Sequence, residues 1–319
     1  MSLPLEPPLA PQLALSRKEL PLGDEYRYEI KLDGFRCIAF VDGEQSFLQS
    51  RNGRPLSRYF PELQMPDGRY VLDGEIVVRD GAGREDFDAL GQRIHPAASR
   101  IQRLAAETPA VYVAFDLLAR EDEVLLDRPY DERRAALEAL LRERRFAAAP
   151  VELMVVSDAP ERAREWLQGA EGAIAKQRDA PYRPGERKGM VKVKRVRTID
   201  AVVVGWRPGK EPQTVGALIL GLYDGEQLRV VGHCSGLSAK EKRRLVGFLE
   251  PYQSGERGSA DPSRWSAGKE LEWIGLRPEL VVEIDFDHVS AGRIRHGARL
   301  RRWREDKPPS ECRYEQLRD

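Results

Sequence analysis

The sequence predicts an α+β protein of two domains, in which helices accompany mainly antiparallel sheets. The first reason is length, since 319 residues are enough for two hydrophobic cores of ordinary size. The second is a change of pattern. Strands and helices mix up to residue 197, whereas short strands separated by glycine-bearing turns dominate from residue 198. We therefore expect one domain over residues 1–197 and another over residues 198–319.

Composition argues against several classes of protein. A hydrophobic fraction of 41% with 33% charged residues is typical of a folded, highly charged protein and not of a disordered one. No apolar run reaches the roughly 18 residues of a membrane span, and the start of the chain has no signal-peptide pattern. The 3 cysteines are too scattered for a disulfide framework or a zinc site. We expect a cytoplasmic protein without membrane contact.

The N-terminal domain opens with a proline-rich stretch, residues 1–22, which we expect to lie extended on the surface. Residues 26–30 alternate between apolar and charged side chains, as a strand does, and an apolar run follows at residues 35–41. The turn signal Asp33-Gly34 between them predicts a β-hairpin with Lys31 at its lip. Further strands are predicted at residues 46–50 and 70–78.

Helical and strand patterns then mix. Residues 85–106 predict two short helices separated at Pro96, and residues 111–118 have the apolar run of a buried strand. Strands at residues 151–156, 171–176 and 190–194 and a helix at 160–168 follow, and the period of two places Lys192 and Lys194 on one face. Residues 131–145 predict the clearest helix, capped by Asp131, with an apolar side formed by Ala135, Leu137, Leu140 and Leu141.

The C-terminal domain predicts a small β-barrel. Four strands are indicated at residues 201–206, 217–223, 228–233 and 280–286, with one helix at residues 238–249. Several short strands with a single helix in about 120 residues fit a partly open Greek-key barrel of the OB type.

Basic residues are concentrated in two segments although the net charge is zero. Residues 186–197 contain six basic residues and one acidic residue, and residues 293–307 contain seven and two. Such segments either bind phosphates or form ordinary solvated surface. Neither segment by itself decides between the two interpretations.

Several side chains at predicted strands and turns have ordinary structural explanations when taken singly. Glu75 and Glu171 fit surface carboxylates, Phe115 fits a core position, and Lys192 and Lys194 fit a solvated face. Together they supply what a reaction at a nucleotide phosphate needs, namely cations for phosphate, carboxylates for Mg²⁺ and an aromatic face for a base. The chain has no Walker-type loop. A lysine nucleophile would split one transfer into two through a covalent lysyl-nucleotide.

Six ordered motifs resemble those of the covalent nucleotidyltransferases. They are residues 31–36 (Lys-Leu-Asp-Gly-Phe-Arg), 50–53 (Ser-Arg-Asn-Gly), 73–75 (Asp-Gly-Glu), 115–116 (Phe-Asp), 171–176 (Glu-Gly-Ala-Ile-Ala-Lys) and 192–194 (Lys-Val-Lys). Residues 92–100 and 303–307 add a resemblance to bacterial ATP-dependent DNA ligases, of the ligase C type and the ligase module of ligase D. The resemblance covers nearly the whole chain. It implies an adenylyltransferase domain, ATP-grasp-like, followed by an OB-fold barrel.

The resemblance implies roles in phosphate chemistry for one group of residues. Lys31 would attack the α-phosphate of ATP and carry AMP as a phosphoramidate. Glu171 would bind a metal, Mg²⁺ or Mn²⁺, and Glu75 would bind the ribose hydroxyls or the metal. The cations around the ribose and phosphates would be Arg36, Arg51, Lys192 and Lys194.

A second group of residues would hold the base and the pyrophosphate. Glu29 would lie near the adenine amino group, and the remaining nucleotide-binding residues would be Ile30, Phe115, Ile174 and Lys176, with Phe115 and Ile174 sandwiching adenine. In the barrel, Arg304 and Lys307 match an Arg-x-Asp-Lys element that orients pyrophosphate. Their action on ATP implies domain closure through a linker near residues 195–200.

The sequence departs from the family pattern at two places. Met190 stands where an aromatic residue is common, and we expect this to affect packing but not chemistry. The chain also begins just before the first motif, so we expect the two domains alone to hold DNA. Weak, salt-sensitive binding through the two basic segments follows from that expectation.

The resemblance implies an ATP-dependent DNA ligase that seals 5′-phosphate/3′-hydroxyl nicks or ends in duplex DNA, in DNA repair. We expect a monomer associated with the bacterial nucleoid, with repair or end-joining proteins as candidate partners. Two alternatives share the Lys-x-Asp-Gly motif, an mRNA capping guanylyltransferase and an RNA ligase. A non-catalytic OB-type nucleic-acid binder is an alternative from another class, but every charged motif position is filled.

Overall fold

A computed structural model describes residues 3–260, 271–290, 292–295 and 297–317. The chain divides into two compact units, Met1–Arg195 and Val196–Asp319. The boundary lies two residues before the one predicted from the sequence, which was between residues 197 and 198. Both units are rich in sheet and carry helices, so the α+β class is confirmed.

The first unit contains eleven strands and four α-helices within the described residues. The strands are β1 (Leu15–Ser16), β2 (Tyr26–Ile30), β3 (Phe35–Gly43), β4 (Gln45–Ser50), β5 (Gly68–Val78), β6 (Ala110–Arg120), β7 (Glu123–Val124), β8 (Val151–Leu153), β9 (Val156–Ser157), β10 (Gly172–Gln177) and β11 (Met190–Lys194). The helices are α1 (Phe87–Gln92), α2 (Ala98–Glu107), α3 (Tyr130–Leu141) and α4 (Pro160–Gly169).

These strands form two sheets. The five-stranded sheet has the order β1-β11-β10-β2-β9, and the six-stranded sheet has the order β4-β3-β5-β6-β7 with β8 on β6. Helices α1 and α3 cover the six-stranded sheet, where Leu90, Leu137 and Leu140 are completely buried. Each such leucine contributes about 1.5–3 kcal/mol to stability. A smaller apolar cluster that includes Phe115 and Met154 packs against Ile30, at the end of β2.

The predicted hairpin around Lys31 is wrong. Strand β2 pairs with β10 and β9, whereas β3 pairs with β4 and β5 in the other sheet. The segment that carries Lys31 and Gly34 therefore crosses from one sheet to the other. A Cβ at Gly34 would lie 2.4 Å from the carbonyl oxygen of Ile76, so glycine is needed for close approach to β5.

The single strand predicted at residues 151–156 is also wrong. Strand β8 pairs in parallel with β6, and β9 pairs with β2 in the other sheet. Between them Met154 is buried, 4% exposed, in the cluster that contains Phe115. Local alternation cannot distinguish one strand from two short strands that share a continuous extended backbone.

The helix predicted at residues 131–145 is shorter and is not capped by Asp131. Helix α3 begins after Pro129, with no side-chain cap, and a short 3₁₀ helix follows at Arg144–Phe146. The Asp131 carboxylate instead accepts hydrogen bonds from Arg27 and Arg178. The prediction that Ala135 belongs to the apolar side of this helix is also wrong, because Ala135 is exposed. Asp131 is the second residue of the helix and does not occupy the cap position, so its carboxylate pairs with arginines of distant segments.

The N-terminal arm is tied to the five-stranded sheet by its backbone. Strand β1 pairs in parallel with β11, placing Leu15 opposite Val191 and Ser16 opposite Lys192. Gln12 is only 5% exposed, and its backbone N–H donates to the Tyr182 hydroxyl oxygen at 2.9 Å. Residues 1–2 of the predicted arm lie outside the described residues.

The second unit is a β-barrel with one α-helix in its described part. Strands β12 (Arg197–Pro208), β13 (Val215–Asp224), β14 (Gln227–Gly236), β17 (Val281–Phe286) and β20 (Ala298–Trp303) form a ring, because β12 pairs back onto β13. The ring encloses an apolar core and supports the predicted OB type. The helix is α5 (Ala239–Leu249), and the other strands are β15 (Gln253–Ala260), β16 (Leu271–Leu276), β18 (Val289–Ser290) and β19 (Arg293–Ile294).

The predicted linker is too long. Residues 197–200 pair with β17, placing Arg197 opposite Phe286 and Asp200 opposite Glu283. Only Arg195 and Val196 of the predicted linker precede β12. The sequence carries no glycine or proline there that would separate linker from strand.

Candidate active site

Lys31 lies just after β2, where its backbone is held by the five-stranded sheet. Its N–H donates to the carbonyl oxygen of Gly172 at 3.0 Å. Its Nζ donates to the Leu32 carbonyl oxygen at 3.2 Å and contacts the carboxylate of Glu171. The Lys31 side chain is 19% exposed and that of Glu171 is 10% exposed. A partly buried lysine is thus fixed beside a carboxylate.

Other predicted cations surround this pair. Lys194 Nζ lies 3.7 Å from Glu171 Oε1, and β11, which carries Lys192 and Lys194, is the neighbour of β10. The pKa of Lys192 is lowered from its ordinary value by burial and by the positive charges of Lys31, Lys194 and Arg51. Mutual repulsion among cations identifies a place where an anion is favoured. The structure therefore brings four predicted cations from three separate motifs together.

Glu75 lies on β5 opposite Arg36 on β3. Burial raises the pKa of Glu75 to about 7, with the positive charges of Arg36 and Lys31 opposing the rise and the negative charge of Glu171 adding to it. Glu75 and Glu171 are therefore close enough to repel one another. A divalent cation would relieve that repulsion.

The donor set fits a hard cation that is shared with a substrate. No cluster of three or more metal-ligating side chains occurs among the residues that the structure describes. Mg²⁺ is commonly held by one or two carboxylates, with substrate phosphates and water completing its coordination. Glu75 and Glu171 are two carboxylates of this kind, so the residues present fit a metal that is shared with substrate phosphates.

The raised pKa of Glu75 predicts a pH dependence of stability. Because the folded-state value of about 7 exceeds the ordinary value of 4.5, the folded protein binds the proton more tightly. In metal-free buffer, the unfolding free energy of the wild type should fall relative to that of Glu75→Gln as the pH rises from about 4.5 to about 7. The expected fall is about 1–3 kcal/mol. Urea titrations at several pH values measure the difference. Parallel pH profiles for the two proteins would refute it.

Arg36 is fixed by a buried carboxylate that the sequence analysis did not single out. Its Nε and Nη2 each donate to Asp73 at 2.6 Å, and Asp73 also accepts from Tyr182 Oη at 2.6 Å. The Arg36 guanidinium lies over the Phe115 ring, 4.4 Å from its centroid. Asp73 is completely buried within an apolar strand. That position was a usable signal, since a buried carboxylate requires a charged or hydrogen-bonded partner.

The predicted base-binding residues meet around Phe115. Lys176 Nζ lies 4.5 Å from the centroid of the Phe115 ring and 2.8 Å from Glu29 Oε1. Glu29 and Ile174 are directly opposite on β2 and β10. Ile30 packs in the same apolar cluster as Phe115. Phe115 and Lys176 thus line one pocket, with Glu29 paired to Lys176 and Ile174 opposite Glu29 on the neighbouring strand.

Tyr130 belongs to this pocket and was missed. Its hydroxyl donates to Glu29 Oε1 at 2.6 Å, and Lys176 Nζ lies 4.8 Å from its ring centroid. Both contacts are made to Oε1 of Glu29, which fixes the position of the carboxylate. Tyr130 lies outside every motif, and its partner is 101 residues away, so the sequence offered no signal.

Arg304 and Lys307 belong to the second unit, where they share one carboxylate. Arg304 Nη1 lies 2.9 Å from Asp200 Oδ1, and Lys307 Nζ lies 2.8 Å from Asp200 Oδ2. Arg304 also contacts Asp306 at 2.8 Å, and this contact holds the pKa of Asp306 at about 2. Asp200 was not predicted. It keeps both cations oriented at the end of β20 and in the turn that follows.

A lysine-centred cation cluster in one unit and an OB-type barrel in the other are the arrangement expected of a polynucleotide ligase. Family models place the chain further. The ATP dependent DNA ligase domain matches residues 7–194, and the ATP dependent DNA ligase C terminal region matches residues 211–307. The chain belongs to the ATP-dependent DNA ligase family, and the alternatives of a capping enzyme or a non-catalytic binder are not favoured.

Individual relatives agree with this assignment. DNA ligase C1 of Mycolicibacterium smegmatis is 43% identical over 99% of this chain and 96% of its own length. The multifunctional non-homologous end joining protein LigD of Pseudomonas aeruginosa is 32% identical, over 95% of this chain and 36% of its own length. A solved structure of mycobacterial DNA ligase D complexed with ATP and MES is 31% identical, with a TM-score of 0.54 over 95% of this chain and 97% of that one.

In the described part of the chain, no helix combines the length and apolarity needed to cross a membrane.

Proposed function

We propose that this ligase acts through AMP attached covalently to Lys31. The neutral Lys31 amine attacks the α-phosphorus of ATP, a P–N bond forms, the bond to the β-phosphate oxygen breaks, and pyrophosphate leaves. Glu171 contacts Nζ and is in place to accept the proton that the amine must lose. The observation that carries the proposal is the position of Lys31 within the cluster of Lys192, Lys194 and Arg51.

Two later transfers complete the reaction. The 5′-phosphate of a broken strand attacks the phosphorus of Lys31-bound AMP, which breaks the P–N bond and forms an adenylylated DNA end. The neighbouring 3′-hydroxyl then attacks that end, and AMP leaves as the phosphodiester bond forms. All three steps need charge neutralisation at phosphate, which Lys192 and Lys194 supply in the first unit.

The carboxylates Glu75 and Glu171 are our proposed metal ligands, with Mg²⁺ or Mn²⁺ as the ion. A cation held there would neutralise phosphate charge and help to position the substrate. Glu75 must be ionised to act as a ligand. Since its pKa is about 7 in the absence of metal, proton release accompanies metal binding at neutral pH.

Adenine is proposed to stack on Phe115 beside Ile174, with its amino group donating to Glu29. Lys176 and Tyr130 both contact Oε1 of Glu29 and thereby orient the carboxylate. An amino group on the base can donate to Oε2, whereas the carbonyl that guanine carries there cannot. This arrangement favours ATP over GTP.

Tyr130→Phe should weaken ATP binding without stopping catalysis. The variant keeps the ring beside Lys176 but removes the hydrogen bond to Glu29, so the carboxylate is less well oriented. A hydrogen bond to a charged group contributes enough for KM for ATP to rise roughly tenfold, with little change in kcat for AMP uptake. Initial-rate measurements with ATP and GTP test this. Tyr59→Phe, outside the pocket, is the control, and an unchanged KM in Tyr130→Phe would contradict the role.

Arg304 and Lys307 are proposed to orient pyrophosphate during AMP uptake. Both cations form salt bridges to Asp200, and they can exchange this carboxylate for a phosphate. For this role, both side chains must reach ATP bound at Lys31 during the first step. This role concerns the first step, so loss of either cation should affect AMP uptake more than sealing of a pre-adenylylated nick.

The proposed substrate is nicked or broken double-stranded DNA. Similarity to the end joining protein LigD supports end-joining or other repair proteins as partners, and we propose that the chain acts as a monomer. Incubation of matched nicked duplexes with ATP tests the substrate. The proposal expects sealing of the all-DNA nick with ATP and little sealing of an RNA nick or with GTP. Preferential sealing of RNA would contradict it.

A further inference from the structure

The second unit contains a basic groove that none of the motifs and neither basic segment includes. It lies between the turn that joins β12 to β13 and the first turns of α5, and its volume is about 640 Å³. Four cations line it, Arg207, Lys210, Lys242 and Arg243, while Glu211 is its one acidic lining residue among those described. We refer to these residues as the β12–α5 groove.

The four cations of the β12–α5 groove lack carboxylate partners within the described residues. Elsewhere in the same unit arginines are paired, as Arg229 is with Asp224 at 2.9 Å and Arg277 with Glu279 at 2.6 Å. Arg207 is half-buried, and burial alone lowers the pKa of its guanidinium from the ordinary value. A partly desolvated arginine without a counter-charge favours an incoming anion.

The walls of the β12–α5 groove are ordered by their own hydrogen bonds. In the turn, Gly209 N–H donates to the Thr214 carbonyl oxygen at 2.7 Å, and Thr214 Oγ1 donates to the Glu211 carbonyl oxygen at 2.6 Å. On the helix side, Ser238 and Glu241 form a reciprocal capping box, which directs the Glu241 carboxylate to the Ser238 N–H. Fixed walls reduce the entropy lost on binding.

The lining identifies the kind of anion. No aromatic side chain is among the described residues that line the β12–α5 groove, so it offers no surface on which a base could stack. Lysine and arginine side chains with the Ser235 hydroxyl are donors suited to phosphate oxygens. A phosphate diester of a nucleic-acid backbone matches these groups without sequence preference.

We propose that the β12–α5 groove is a second DNA contact, binding backbone phosphates of the duplex away from the reacting ends. The proposal rests on the proposed function, since it takes duplex DNA as the substrate. It adds a phosphate site to the two basic segments and assigns Arg207 and Lys242 as its principal cations. Because these residues contact DNA and take no part in the uptake of AMP, their substitution should weaken DNA binding and leave AMP uptake unchanged.

The test uses the full chain with Arg207→Gln and Lys242→Gln combined. Arg229→Gln with Arg277→Gln removes the same charge from arginines that have carboxylate partners, and it is the control. Binding to a nicked duplex with a 3′-deoxy end is followed by fluorescence anisotropy across about 50–200 mM salt. The groove variant should bind at least roughly tenfold more weakly, with a salt slope reduced by about 1–2, and should take up AMP normally.

Several outcomes would overturn the proposal. Unchanged DNA affinity in the groove variant would do so, as would an equal loss in the control, which would indicate bulk charge alone. The groove would be assigned to a free anion instead if the wild type bound inorganic phosphate, the groove variant did not, and the two proteins bound DNA equally well. If the double variant fails to fold, Lys242→Gln alone repeats the test. Failure of the wild type to take up AMP would defeat the proposed function, whatever the DNA affinity.

Discussion

Lys31→Ala should eliminate the uptake of AMP from ATP, by more than about 10⁴-fold, because removal of a covalent nucleophile leaves only the binding contributions. The methyl side chain also frees Glu171 from its contact with Nζ, but the remaining cations at Lys192 and Lys194 keep the phosphate site. ATP binding should therefore persist while transfer stops. Label transfer from α-labelled ATP, beside equilibrium ATP binding, measures the two separately.

Lys188→Ala is a matched control for this variant. Lys188 is an exposed lysine of the same unit whose Nζ lies 2.7 Å from Glu186, and it lies outside the cation cluster. It should take up AMP at the wild-type rate. AMP uptake by Lys31→Ala at a comparable rate would show that another group is the nucleophile.

Glu171→Gln should give the second largest loss, roughly 10²–10³-fold in the rate of AMP uptake. The amide is nearly isosteric, so it preserves the packing at the start of β10 but removes the negative charge that contacts Lys31 and lies 3.7 Å from Lys194. Both the proposed proton acceptor and one proposed metal ligand are lost. Single-turnover AMP uptake at several Mg²⁺ concentrations measures the effect.

Glu161→Gln on α4 is the control for this change, because its side chain is 70% exposed and pairs only with the surface residue Arg164 among the contacts described. It should behave as wild type. A Glu171→Gln protein with the wild-type rate and the wild-type Mg²⁺ dependence would remove Glu171 from the mechanism.

The strands around the site could be predicted because their signals are local. Alternation and apolar runs located β3, β5, β6 and β11, and the ordered motifs indicated which side chains to compare. Pairing could not be predicted in the same way. The turn signal at Asp33-Gly34 indicated a hairpin, yet β2 pairs with β10, more than a hundred residues further along the chain. Register between distant strands depends on packing that no local pattern contains.

Positioning residues were the least predictable part of the site. Tyr130 reaches Glu29 and Tyr182 reaches Asp73 only after distant segments have folded together. Asp73 was more accessible to sequence reasoning, since a carboxylate in an apolar strand must have a partner. Asp200, which contacts Arg304 and Lys307, offered no comparable signal, because it lies at the end of the segment that was predicted as a linker.

The barrel shows a similar division. Four of its strands and α5 were predicted from local patterns and turns, but β20, which closes the ring beside β14 and β17, was not. Its sequence, Ala298–Trp303, contains three arginines in six residues, so it indicated a phosphate-binding segment and did not show the apolar alternation that predicts a strand. The β12–α5 groove is likewise visible only when the turn after β12 meets α5.

Peptide mapping by mass spectrometry after incubation with ATP and Mg²⁺ tests the central claim most directly. We expect a single AMP on the peptide that contains Lys31, labile to acid as a phosphoramidate and removed by pyrophosphate. Absence of the adduct under conditions in which nicked DNA is sealed, or its attachment to another side chain such as Lys192 or Lys194, would contradict the account.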